Sequence, residues 1–155
     1  MGKVFEDYFS ELQADMVSIC LEYVDNRADR IYIYCSCEET IISSDFFYCI
    51  EGKIKERHEL NEDNVNKSNK YIYDTSSERQ DMVLEILTED IEKIKALCQR
   101  YNKEMPTEIK LIYDVQKNKL KAEYKYDLVY YNEPVKTADD IAMEWFEKIK
   151  SENNK

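Results

Sequence analysis

The sequence predicts an α+β domain: an antiparallel sheet of about five strands with helices packed on one face, in the order α-β-β-β-α-β-β-α. Two observations predict it. Three stretches repeat apolar residues at steps of three and four, the period of a helix, while other stretches alternate with the period of a strand. The strand-like stretches sit next to one another across short turn-forming runs, so they pair locally as hairpins. The 155 residues suit one domain spanning 1–155, and no internal repeat is visible.

The first helix is predicted over residues 4–24. Phe5, Tyr8, Phe9, Leu12, Met16, Ile19, Cys20 and Tyr23 fall on one face, and Asp25-Asn26-Arg27 ends it. From Arg30 the period becomes two, with Ile31, Ile33, Cys35 and Cys37 facing one way and Tyr32, Tyr34 and Ser36 the other. Glu38-Glu39-Thr40 is the first turn, Asp45 to Ile50 an aromatic second strand, and Glu51-Gly52-Lys53 the next turn. A polar third strand is expected from Ile54 to Leu60, at the edge, guarded by Lys53, Lys55 and Arg57.

Residues 61–74 read as an Asn-rich surface loop anchored by Tyr71-Ile72-Tyr73. Thr75 is the expected N-cap of the second helix, with Glu78 as its capping-box partner. That helix carries an apolar stripe from Met82 to Tyr101 and would run roughly 40 Å, stopping before Pro106. Ile109, Leu111, Tyr113 and Val115, then Leu120, Ala122, Tyr124 and Tyr126, alternate with mainly charged residues and form the clearest hairpin. Thr137 caps a last helix with Ile141, Met143, Trp145, Phe146 and Ile149 as its apolar positions, and Ser151 to Lys155 should fray.

Lys plus Arg is 22 and Asp plus Glu is 33, a formal charge of −11. This argues against direct nucleic-acid binding, which needs a basic patch to neutralise phosphates, and against docking on anionic membranes. No stretch is apolar enough to span a bilayer, and acids stand where a signal peptide would carry its apolar run. Five cysteines, an odd set, suggest reduced thiols and a cytoplasmic protein.

No motif points to catalysis, so no enzyme activity is expected. His58 is the only histidine and lies in a charged strand, far from a nucleophile with an orienting acid. Cys35-x-Cys37 with Cys49 and His58 offers zinc-ligand types, but the spacing sits inside an apolar alternation, where cysteine behaves as a small hydrophobe. The paired acids Glu38-Glu39, Glu62-Asp63, Glu89-Asp90 and Asp139-Asp140 fall in turns or on solvated helix faces. Neither a metal nor a cofactor is expected. The 13 tyrosines read mainly as sheet filling, with Tyr130-Tyr131, outside the alternation, as the most exposed pair.

Several short motifs recur in a known family. They are Arg30-Ile31-Tyr32-Ile33-Tyr34-Cys35, the aromatic Asp45-Phe46-Phe47-Tyr48, a long acidic helix, Thr107-Glu108-Ile109-Lys110-Leu111, and Lys119-Leu120-Lys121-Ala122-Glu123-Tyr124-Lys125-Tyr126-Asp127. In this order they resemble the YezG-like immunity proteins of Gram-positive bacteria. The chain departs from the family where Trp is missing before Thr107 and where Asn118 replaces the hairpin glycine. The resemblance implies a cytoplasmic antitoxin that binds and neutralises a cognate polymorphic toxin, often a nuclease, without catalytic residues of its own. Of the matching positions, Tyr124, Tyr126 and Asp127 carry over as partner-binding candidates.

An acidic inhibitor would be steered to the basic cleft of a nuclease, with aromatics supplying affinity at the centre. Glu38, Glu39, Asp45, Glu62, Asp63, Tyr130 and Tyr131 are the remaining expected contacts, because they combine charge or aromaticity with expected exposure. A secretion chaperone for an exported effector would need the same surface. The pattern also leaves room for a homodimer through an open sheet edge.

Overall fold

The computed structural model describes residues 2–62, 71–128 and 136–153. Its elements are α1 (Phe5–Tyr23), β1 (Arg30–Glu38), β2 (Ile41–Ile50), β3 (Lys53–Glu56), α2 (Ser77–Arg100), β4 (Glu108–Asp114), β5 (Lys119–Lys125) and α3 (Ala138–Asn153). The five strands form one antiparallel sheet in the order β3-β2-β1-β4-β5. The α+β class and the order of elements are those the sequence predicts.

The strand β1 is central, and it is buried from Ile31 through Glu38. Its alternation sends Ile31, Ile33, Cys35 and Cys37 into a core beneath α1 and α2. Met16, Cys20, Leu87, Ile91 and Ile94 meet them from the helices. The two helices run antiparallel: Tyr8 and Leu12 of α1 lie beside Leu97 and Arg100 of α2, while the Glu22 carbonyl accepts from Arg79 at 2.9 Å.

The third helix departs from the expectation of helices on one face. Tyr32, Tyr34, Phe47, Cys49 and Ile54 project to the opposite side and form a second core with Ala142, Trp145 and Phe146 of α3. The reason lies in β1 and β2, whose two faces are both apolar at their shared centre, so both need cover. Trp145 meets Phe47 edge-on at 5.1 Å and Tyr32 at 5.9 Å between ring centroids.

Local chemistry explains most boundaries. Ser76, one residue beyond the expected cap, accepts from the Arg79 N–H at 3.3 Å and starts α2. Thr137 closes a reciprocal pair with Asp140: its Oγ1 accepts from the Asp140 N–H, and its own N–H donates to Asp140 Oδ2. Asn118 takes a φ of 52° in the β4–β5 turn, a conformation asparagine tolerates. Tyr73 is buried, and its backbone exchanges two hydrogen bonds with the Asn61 side chain at 2.8 and 2.9 Å; residues 63–70 of the expected loop lie outside the described residues.

Other boundaries differ from expectation as well: β2 begins at Ile41, four residues before the expected Asp45. The strand β3 stops at Glu56, because Glu59 turns back and its Oε1 accepts the Glu56 N–H at 3.0 Å. At the other end of the chain, α3 continues to Asn153 instead of fraying at Ser151. The Asn153 amide donates to the Gly52 carbonyl at 2.8 Å and accepts from Arg30 at 3.3 Å, which ties the helix to the sheet.

Candidate functional site

The expected contact residues do not form one surface. Glu38 belongs to the end of β1 and is fully buried, correcting its expected place on an exposed acidic turn. The turn is tighter than the acidic pair suggests: Glu38 still pairs with Ile41, so only Glu39, at φ 55°, and Thr40 stand exposed. Asp45 is engaged in an internal clamp. Its carboxylate pairs with Arg57, whose Nε donates to Gln80 of α2 at 3.1 Å. The same guanidinium lies over the Phe46 ring, and the Arg57 carbonyl accepts from the Tyr23 hydroxyl at 3.0 Å. Burial pushes the Asp45 carboxyl above its ordinary value despite the arginine.

Glu62 is exposed beside Lys55, whose Nζ donates to its carbonyl at 3.0 Å. Asp63, Tyr130 and Tyr131 lie outside the described residues. Tyr124, Tyr126 and Asp127 follow one another at the exposed end of β5. The Asp127 carbonyl accepts from the Thr107 hydroxyl at 2.6 Å, and the Tyr124 hydroxyl accepts from the Gln13 amide at 2.6 Å.

Around these tyrosines the structure builds an aromatic end that sequence reasoning placed in the core. Phe9 lies 5.6 Å from Tyr124, Phe5 5.5 Å from Phe9, and Tyr101 5.8 Å from Phe5. Phe5, Tyr8 and Phe9 are only half-buried, because the first turns of α1 overhang the sheet. Two hollows flank the helix there. One, of about 240 Å³, is lined by Phe5, Phe9, Cys98, Lys103, Glu104, Pro106 and Tyr126. The other, of about 360 Å³, lies in the α1–α2 seam between Tyr8, Leu12, Leu97 and Arg100. Arg100 sits over Tyr8 and Tyr101, and Lys103 over Phe5, so cations fringe the rings.

Charge is distributed unevenly over the fold. The helix α1 carries five acids and no base, and α2 carries six acids against four bases. Glu6, Asp15 and Glu22 on α1, with Asp81, Glu85 and Glu92 on α2, are exposed on this helical layer. The β4–β5 hairpin from Glu108 to Lys125 is the reverse, with five bases and three acids. Together α1 and α2 carry eleven acids against four bases, and α3 on the opposite face carries five against two.

One acid in that layer is not exposed. Asp90 faces the α1–α2 seam, is 1% exposed, and its Oδ2 makes no hydrogen bond. Burial first, then the adjoining Asp15 carboxyl, pushes Asp90 up to about 7; Lys93 opposes the shift and Glu89 adds to it. Beneath it the Cys35 thiol is pushed up to about 12, mainly by burial.

All five cysteines are free and buried. Cys35 and Cys37 belong to the core under α1 and α2 and Cys49 to the core under α3, so these three do not share a face. Among the described residues, the side chains that could hold a metal ion together are Glu56, His58 and Glu59, with ligand atoms within 4.8 Å of one another. They sit at the turn that ends β3, where His58 Nε2 lies 3.3 Å from Glu56. No described helix is long and apolar enough to cross a membrane. Compared with known proteins, the chain matches no family model and no curated protein.

Proposed function

We propose that this chain is an acidic binding protein: a cytoplasmic immunity protein that neutralises a basic toxin, most simply a nuclease, by covering its phosphate-binding cleft. The observation that carries the reading is the charge layout. Acids outnumber bases eleven to four on α1 and α2, and α1 has no base to offset them. Such a layer attracts a cationic cleft over a distance set by the salt, near 8–10 Å at physiological ionic strength, and raises the association rate. The aromatic end beside it offers Phe5, Tyr8, Tyr124 and Tyr126, the residue types that supply affinity once the partner is seated. The resemblance of the strand motifs to YezG-like immunity proteins gives this binding role its biological form.

The test is coexpression with the toxin domain encoded beside it. The wild-type chain is expected to copurify with that domain and restore growth. The double substitution Glu85→Lys with Glu92→Lys, on the exposed face of α2, should slow association at least tenfold in 0.15 M salt while leaving the circular dichroism unchanged. Copurification without growth rescue would replace inhibition by a carrier function for an exported effector. Absence of binding would end both readings.

A further inference from the structure

We infer that the chain pairs with a second copy of itself through the outer edge of β5, joining two sheets into one. β5 ends the sheet order, and among the described residues no strand covers its outer side. The direction of its backbone groups follows from the ladder. The Thr107 carbonyl accepts from the Cys37 N–H at 2.9 Å, toward β1, so the Glu108 N–H across the same trans peptide points toward β5. At the far end the Val115 N–H donates to Asp29 at 3.0 Å, again on the β1 side. Backbone groups alternate sides along a strand, so Glu108, Lys110, Ile112 and Asp114 bond to their partners Lys125, Glu123, Lys121 and Lys119. The N–H and C=O groups of Leu120, Ala122 and Tyr124 are left pointing outward.

The side chains favour a second copy in one register. An antiparallel pair centred on Ala122 sets Ala122 opposite Ala122 and Leu120 opposite Tyr124 of the second copy, twice by symmetry. All the outward groups then bond at once. Leu120 and Tyr124, 40% and 38% exposed, would lie side by side on the α1 face of the joined sheet. On the other face Lys121 would stand opposite Glu123 of the second copy, again twice. Centring on Glu123 would instead oppose Glu123 to itself and Lys121 to Lys125, and centring on Lys121 would oppose that lysine to itself.

The register's one unfavourable pair is Lys119 opposite Lys125, and Lys125 already lies 3.5 Å from Glu108 of its own chain. Edge lysines ordinarily discourage pairing. Here they stand on one face, and apolar residues carry the groups that pair. The five bases against three acids on each β4–β5 hairpin set like charge against like at this edge, and the twice-repeated Lys121–Glu123 pairing offsets it.

Sedimentation of the full chain over a concentration series in 0.15 M salt tests the inference, and a dimer is expected. Ala122→Pro removes an outward N–H that no described strand pairs, and should weaken the dimer at least tenfold with unchanged circular dichroism. Lys121→Glu should weaken it comparably by opposing like charges, and adding Glu123→Lys should restore it, because the exchanged charges face each other again. A monomer at every concentration would overturn the inference. So would a dimer that none of these substitutions changes. A monomer that instead captures an added acidic, strand-forming peptide would assign the edge to a foreign strand, which also overturns self-pairing.

Discussion

Replacing Trp145 with alanine is expected to lower the free energy of unfolding by about 3–5 kcal/mol. The indole is 6% exposed, and it touches Phe47, Tyr32 and Tyr34 at centroid distances of 5.1, 5.9 and 6.3 Å. It is the larger of the two rings, with Phe146, that α3 sets against the sheet, and Lys110 lies over its face at 5.5 Å. Neighbouring rings belong to rigid strands and cannot collapse into the space, so the substitution loses both transfer energy and contacts. Urea unfolding followed by far-ultraviolet circular dichroism measures the loss directly. A change below about 1 kcal/mol would show that α3 contributes little to holding the sheet.

The second large effect concerns Asp90 and depends on pH. Its folded value is pushed up from an ordinary 3.8 to about 7. The folded chain therefore binds more protons than the unfolded chain between those limits, and stability falls as pH rises through them. Below about pH 4 the carboxyl is protonated in both states, and the favourable contribution is complete. Above about pH 7 it is gone. Asp90→Asn keeps a hydrogen-bonding group opposite Asp15 but cannot ionise. It is expected to stabilise the protein by about 1–3 kcal/mol at pH 8 and to have little effect at pH 4. The full shift corresponds to a ceiling near 4 kcal/mol, which water around the exposed Asp15 reduces. Melting temperatures of both proteins across that range decide it; parallel curves would remove Asp90 from the account.

The strands and helices were legible because the binary pattern is strong where one side of an element is buried. Glu108 to Lys125 shows this best: alternation on two strands joined by a short polar turn gives the hairpin and the side each residue faces. The position of α3 was harder to see. Its stripe of Ile141, Trp145 and Phe146 announces a helix with one buried side, but a stripe does not say which face of a sheet receives it. The clue lay in β1, where Tyr32 and Tyr34 on one side and Ile31 and Ile33 on the other demand two covers. Tyrosine, at home both in cores and at surfaces, disguised that demand.

The candidate contacts were less legible for a related reason. Charge in sequence suggests exposure, yet Glu38 and Asp90 are each no more than 1% exposed, and Asp45 closes a clamp with Arg57 and Gln80. Adjacent acids looked like solvated turns because the length of β1 and the depth of the α1–α2 seam are tertiary properties. The aromatic end was hidden in the same way. Phe5 and Phe9 continue the core stripe of α1, and only the overhang of that helix leaves them half-buried.

The five thiols have a use that follows from where they lie. Cys20 is in α1, Cys35 and Cys37 in β1, Cys49 in β2 and Cys98 in α2, all buried, and burial raises each thiol above its ordinary value. A thiol held protonated and out of solvent does not attack an alkylating reagent until its element opens. The chain thus carries its own set of clocks, and the mass added by the reagent counts how many elements have opened together. If α1, α2 and the central strands open as one unit, molecules carry either no label or all five. Labelled peptides would report the order of opening if they do not. The α3 helix has no cysteine of its own, but Cys49 lies in the core that it covers, so its departure would register at that thiol and in the fluorescence of the only tryptophan.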